Sequence, residues 1–231
     1  MPNYRHLFFD LDNTLWNFTD NARSALFDVY SKYNLNQYYP DFESYFKQFE
    51  EHNTALWRLY GAEKITKDFL NTERFLSPLR QFGILNEPLA KEMSIFYLDQ
   101  CCQKTAVMPN TFVALDYLKP RYNLYIISNG FTEVQYKKME RSGLSGYFKE
   151  IFLSEEIGHH KPKPEFFAHL FTVAHATKQE SLVIGDNFEA DIEGAMNFGI
   201  DQVYFTANPS EPHENQPTYT IHNLSELCSF L

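Results

Sequence analysis

The spacing of hydrophobic positions changes twice along the chain. Leu7-Phe8-Phe9 is an unbroken apolar run that stops at Asp10-Leu11-Asp12, the pattern of a short buried strand. From there to about residue 105 the apolar residues recur every three or four positions, as on one face of a helix. Ala22, Ala25, Leu26, Val29, Tyr30 and Tyr33 mark one helix. Phe42, Tyr45, Phe46 and Phe49, continuing through Leu56, Trp57 and Tyr60, mark a second. Leu89, Met93, Phe96 and Tyr97 mark a later one, and Thr66 supplies an N-cap for a helix in between. No segment of this stretch has strand character.

After Met108-Pro109 short apolar runs return and alternate with helical pattern. Leu124–Ile127 reads as a strand ending at Ser128-Asn129-Gly130, followed by a helix from Glu133 to Arg141 with Gly143 as its C-terminal cap. Ile151–Leu153, Leu182–Ile184, Val203–Phe205 and Tyr219–Ile221 read as further strands. Helices are expected after Lys161-Pro162-Lys163-Pro164, after Gly185-Asp186 as far as Gly199, and over Leu224–Phe230. Asn208–Pro217 reads as a polar loop. Strands alternating with helices predict an α/β fold, a parallel sheet covered on both faces. The first strand is separated from the rest by about ninety residues, far beyond loop length. The expected organisation is a discontinuous core of residues 1–15 and 106–231 with an all-helical insert at 16–105.

Composition narrows the function classes. Thirty acidic against twenty basic residues give a net charge of −10, which disfavours binding of nucleic-acid polymers and anionic membranes. Any anionic ligand requires a local reversal of sign. The 17% aromatic content excludes a globally disordered chain. Cys101, Cys102 and Cys228 form no disulfide framework and suit a reducing compartment. Asp10 breaks the only apolar run near the N-terminus, so no signal peptide is expected, and no apolar run is long enough to span a bilayer. The expectation is a soluble, cytoplasmic protein.

In open parallel sheets, ligands bind beyond the carboxyl ends of the strands. Reactive side chains sit there in this sequence: Asp10 and Asp12, then Ser128 and Asn129, then Lys161, then Asp186 and Asp191. Alternation along the strand end sends Asp10 and Asp12 to the same side. Two carboxylates so close require either a cation between them or a proton on one. Ser128, Asn129 and Gly130 offer a hydroxyl and backbone amides to a phosphoryl oxygen. Lys161 is held out of helical geometry by Pro162 and suits a fixed cation. Asp186 with Asp191 suits Mg²⁺, a hard ion that takes few carboxylates. Brought together, these groups make a divalent-cation site beside an oxyanion site.

In order and placement these motifs resemble those of the haloacid-dehalogenase-like hydrolase superfamily: Asp10-Leu11-Asp12-Asn13-Thr14, Ser128, Lys161, and Gly185-Asp186 with Asp191. The resemblance spans essentially the whole chain. It implies a Rossmann-like parallel-sheet core with an inserted helical cap of the first type. It makes Asp10 the nucleophile and Asp12 the general acid and base. Ser128, Asn129 and Lys161 would hold the phosphoryl group. Asp10, the backbone carbonyl of Asp12, and Asp186 would hold Mg²⁺, with Asp191 behind them. Ser128-Asn129-Gly130-Phe131-Thr132, Glu140-Arg141-Ser142-Gly143-Leu144 and Ser154-Glu155-Glu156-Ile157-Gly158 are similar to the bacterial pyrimidine 5′-nucleotidase branch. The implied reaction is hydrolysis of nucleoside 5′-monophosphates through an aspartyl-phosphate. Sugar phosphates or phosphoglycolate as substrates, phosphomutase action and 2-haloacid dehalogenation are the alternatives. The expected partner is a small phosphorylated metabolite, with no nucleic-acid polymer and no membrane, and the expected state a monomer or weak homo-oligomer. Trp16, Phe18, Trp57 and Tyr60 are candidates to stack on a base, and Asn53, His159 and His160 are candidate polar contacts.

Overall fold

The computed structural model describes residues 4–207 and 215–231. Most of the loop expected at Asn208–Pro217 lies outside them. In chain order the elements are β1 (His6–Asp10), α1 (Phe18–Lys32), α2 (Phe42–Gly61), α3 (Lys67–Arg80), α4 (Glu87–Gln103), α5 (Thr111–Leu118) and β2 (Asn123–Ser128). Next come α6 (Thr132–Arg141), β3 (Glu150–Leu153), α7 (Ser154–Ile157), α8 (Pro164–Ala174) and β4 (Ser181–Gly185). The chain closes with α9 (Gly194–Phe198), β5 (Asp201–Phe205), β6 (Tyr219–Ile221) and α10 (Leu227–Phe230). It divides into two compact units, Met1–Phe18 with Thr105–Leu231, and Thr19–Lys104.

The first unit is built on one six-stranded sheet of order β3-β2-β1-β4-β5-β6, with every pairing parallel. This is the α/β architecture that the alternating pattern predicts. β1 lies between β2 and β4, with Asp10 paired to Ile127 and Phe9 to Ile184. All five β1 residues are buried, because helices cover both faces of a parallel sheet. The twofold alternation of a strand then divides its side chains. Leu7 and Phe9 join one core with Leu124, Ile126, Leu182 and Ile184. Phe8 enters the opposite core, stacked on Tyr125 at 4.8 Å and on Phe171 at 5.7 Å between ring centroids. The helix expected to end at Gly143 does so: Gly143 has φ +75°, and the Leu144 amide donates to the Met139 carbonyl.

The single turn of α7 was not anticipated, and two further elements differ from the sequence expectation. α5 was not anticipated, because eight residues cover barely two turns of pattern. The segment after Asp186 is a single turn of π-helix, Phe188–Glu193, before α9 begins. An extra residue per turn shifts the phase of that segment, and such turns concentrate at functional sites.

The second unit is wholly helical. Thr66 caps α3 by accepting from the Phe69 amide, as expected. Its interior is a cluster of rings in which Phe49, Phe75 and Tyr97 lie 5.1–5.7 Å apart. Arg74 is buried beside them, donating to Asn71 and Ser94 with its guanidinium 5.0 Å from the Tyr97 ring.

Phe8 tests the dependence of the sheet on its two-sided burial. Phe8→Ala leaves a cavity in a fully covered position and should cost about 3–5 kcal/mol of stability. Urea denaturation measures it, and a loss below about 1 kcal/mol would contradict this packing.

Candidate active site

The strand ends bring the expected residues of the first unit together. β1 delivers Asp10 into the site, and the chain then turns sharply. The Asn13 amide bonds to the Trp16 carbonyl and the Trp16 amide to the Leu11 carbonyl, with Asn13 in the left-handed region at φ 63°. Asparagine tolerates that conformation better than most residues. The turn places Thr14, fully buried, where its hydroxyl donates to Asp186 at 3.1 Å.

Lys161 lies at the centre. Its ammonium donates to Asp10 Oδ1 at 2.7 Å, to Asp191 Oδ1 at 2.6 Å and to the Ile127 carbonyl at 3.1 Å. Asn129 holds the backbone of the same residue at both ends: Nδ2 donates to the Lys161 carbonyl, and Oδ1 accepts from the Lys161 amide. The Asn129 side chain is thus engaged with Lys161, and its backbone amide is the group it has to offer a phosphate. Asp10 Oδ2 has no hydrogen-bond partner among the described residues.

Asp10, Asp186 and Asp191 bring carboxylate oxygens within 4.8 Å of one another. Three carboxylates face one ammonium, so the fully ionised cluster carries a formal charge of −2. Burial, together with the charges of Asp191 and Asp186, raises the Asp10 carboxyl well above the ordinary aspartate range, although Lys161 opposes it. Burial and Asp191 push Asp186 up to about 7, against the Thr14 bond and Lys161. Burial works against the Lys161 ammonium, but Asp10 and Asp191 outweigh it and raise its pKa above the ordinary lysine value. Buried oxygen donors of this charge are the donor set of a hard divalent cation. Asp191 is the most enclosed member: Oδ1 takes Lys161, and Oδ2 accepts from the Asn187 amide. Its place depends on Gly185, since a Cβ there would lie 2.3 Å from Asp191 Oδ2.

Ser128 ends β2. Its Oγ accepts from the Gly130 amide at 3.0 Å and from Gln135 Nε2 at 2.7 Å. With both lone pairs engaged, the hydroxyl proton is what remains to give to another acceptor.

Asp10 and Asp12 each have a lysine of their own, Lys161 and Lys138. Asp12 Oδ1 accepts from Lys138 at 2.8 Å and Oδ2 from Gln135 at 2.7 Å, so its carboxylate is bonded to α6 while the cation-competent cluster is Asp10, Asp186 and Asp191. Thr14 was read from sequence only as part of the first motif, and Gln135 and Lys138 were not singled out. For the last two a signal existed: with Val134 and Met139 they occupy the buried stripe of α6, where polar residues are out of place. Among the aromatic candidates, Trp16 is fully buried in the sheet core and lies over Lys138, which leaves it no face for a ligand. Trp57 and Tyr60 meet edge to face at 5.6 Å inside the helical unit. His160 is buried and His159 half-buried.

A family model for haloacid dehalogenase-like hydrolases matches residues 4–199. The whole chain is 32% identical to the HAD-hydrolase YfnB of Bacillus subtilis, over 97% of that protein. It is 31% identical to the pyrimidine 5′-nucleotidase PynA of Streptococcus pneumoniae, over 99% of this chain and 95% of that one. It is 29% identical to the pyrimidine 5′-nucleotidase YjjG of Escherichia coli, over 97% and 96%. The solved structure of YfnB, bound to magnesium, matches with a TM-score of 0.88 at 30% identity over 98% of each chain.

Two outcomes test the electrostatics. An unfolded aspartate titrates near 4, whereas in the fold burial and Asp191 push Asp186 up to about 7. Between these values the native state keeps a proton that the unfolded chain has released. The stability from this group is therefore full below about pH 4 and is lost as the pH rises through about 7. A cation that replaces the proton should raise the melting temperature more at about pH 8 than at about pH 5.5. Equal shifts with millimolar Mg²⁺ in thermal melts would contradict the cluster's charge. Gly185→Ala displaces Asp191 from Lys161 and should lower kcat by about tenfold or more with the sheet retained by circular dichroism; unchanged turnover would refute the packing argument.

Proposed function

Because the chain belongs to the haloacid dehalogenase-like hydrolases, we propose that it is a Mg²⁺-dependent phosphomonoesterase whose substrates are nucleoside 5′-monophosphates, pyrimidine ones first. The observation that carries this reading is the buried cluster of Asp10, Asp186 and Asp191 around Lys161, which includes the nucleophilic carboxylate and, when fully ionised, carries two excess negative charges. Asp10, Asp186 and the backbone carbonyl of Asp12 would hold Mg²⁺, with Asp191 bracing Lys161. When bound, the ion supplies positive charge beside the transferring phosphoryl group, where most of the catalysis of such reactions resides.

The chain's own groups divide the remaining work. Lys161 occupies Oδ1 of Asp10, and Oδ2 is the oxygen available to attack phosphorus. As the Asp10–phosphorus bond forms, the bond from phosphorus to the leaving oxygen breaks, and the proton of the Asp12 carboxyl goes to that oxygen. Asp12 then takes a proton from water, which hydrolyses the aspartyl-phosphate and returns Asp10. Lys161 and the Ser128 hydroxyl face the charge on the phosphoryl oxygens. An acid two residues after the nucleophile serves an alkoxide leaving group. A halide needs no proton, so Asp12 favours phosphate chemistry over dehalogenation.

The substrate class rests on the likeness to PynA and YjjG, each of which is a pyrimidine 5′-nucleotidase. Phosphate release from a panel of nucleoside monophosphates and sugar phosphates with Mg²⁺ tests it. Pyrimidine monophosphates should give the highest kcat/KM, and equal or better values on sugar phosphates would overturn that choice. Asp10→Asn should lower kcat on the order of 10³-fold or more with an unchanged fold; near-normal turnover would remove Asp10 from its role.

A further inference from the structure

Both oxygens of Asp12 are held by one helix. Lys138 donates to Oδ1 at 2.8 Å and Gln135 to Oδ2 at 2.7 Å. The donors are three residues apart and leave α6 on one side, a turn from each other. Gln135 is fully buried and Lys138 only 4% exposed. A buried ammonium is costly unless paired, so Lys138 depends on Asp12 for its place. From the other side it is fixed by two rings, with Nζ 4.2 Å from the centre of Trp16 and 5.3 Å from that of Phe18.

Gln135 is equally constrained. The same amide nitrogen donates to Ser128 Oγ, and turned over it would set its carbonyl against the Asp12 carboxylate. Gly130 leaves the room this requires, since a Cβ there would lie 2.3 Å from Gln135 Nε2. The backbone at the end of β2, the side chain of Gln135 and the acid after β1 therefore form one continuous set of contacts.

The geometry points to Lys138 and Gln135 as positioning residues that aim the Asp12 carboxyl group at the leaving-group oxygen. This rests on the acid and base role proposed for Asp12. A carboxyl group rotates broadly about its terminal torsion, and donors on both oxygens select one orientation. Each oxygen has two lone-pair sites, so one donor apiece still leaves a site for the transferred proton. Proton delivery requires that orientation within hydrogen-bond reach of the departing oxygen. Its importance scales with the need of the leaving group. A departing alkoxide requires the proton, whereas p-nitrophenolate leaves without it.

The experiment compares kcat/KM, which reports the steps through leaving-group departure, for a nucleoside 5′-monophosphate and for p-nitrophenyl phosphate. Lys138→Met should lower the value for the alkyl ester about tenfold or more beyond its effect on the aryl ester. Lys138→Arg, which keeps a charged donor, should hold the ratio of the two values near that of the unaltered enzyme. Gln135→Met is a second arm: its lost Ser128 contact affects both esters alike and cancels in the ratio. Equal losses on the two esters in both methionine variants would overturn the positioning role. Asp12→Asn separates the two possible failures. If it discriminates between the esters and Lys138→Met does not, the positioning role alone is overturned. If Asp12→Asn does not discriminate, the acid role falls, and the positioning role with it.

Discussion

Among the described residues, Lys161 is the one positive charge within a buried group of three carboxylates, and the first unit is organised around keeping it there. Its ammonium joins the end of β1 to the turn after β4, and its backbone is pinned by Asn129 from the end of β2. Three strand ends distant in sequence therefore meet on one residue. The smaller features follow from this. Gly185 lacks a side chain because Asp191 fills that space, and the π-turn gives Asp191 its phase. Thr14 supplies Asp186 with a hydrogen bond that no cation among the described residues provides. When all three carboxylates are ionised, the single ammonium leaves the group two charges short of neutrality, a deficit that a divalent cation would match.

The two aspartates of the first motif illustrate how environment separates like groups. They are two residues apart, yet Asp10 is enclosed by the sheet and paired with Lys161, whereas Asp12 lies past the strand end and is paired with Lys138. Asp10 shares its surroundings with two further carboxylates. Asp12 is held by α6 donors that belong to no cation site. Different neighbours thus fit the separate roles proposed for them, attack on phosphorus for Asp10 and proton transfer for Asp12.

The reactive residues were legible because a parallel sheet gathers its strand ends along one edge, so order along the chain was enough to group Asp10, Ser128, Lys161 and Asp186. The helical insert was legible from its spacing alone. The partners of Asp12 were not. Lys138 stands beside Lys137 in a charged segment that reads as solvated surface, although Lys137 is exposed and Lys138 buried. Only the phase of the helix distinguishes them. The π-turn was hidden because apolar spacing is read against a regular helix, and one turn is too short to reveal a different period. The side-chain bonds from Asn129 to Lys161 were hidden too, since they reach a residue 32 positions away.

The insertion after the first strand has a consequence in time. Asp10 pairs with Ile127, 117 residues further along the chain. At synthesis rates of about 5–20 residues per second, the strand that ends in Asp10 waits roughly 6–23 s for its first neighbour. The residues made during that interval include the whole of the contiguous helical unit, Thr19–Lys104. The strand made before the helical unit thus becomes the centre of a sheet completed after it, and until then Leu7, Phe8 and Phe9 have no sheet to cover them.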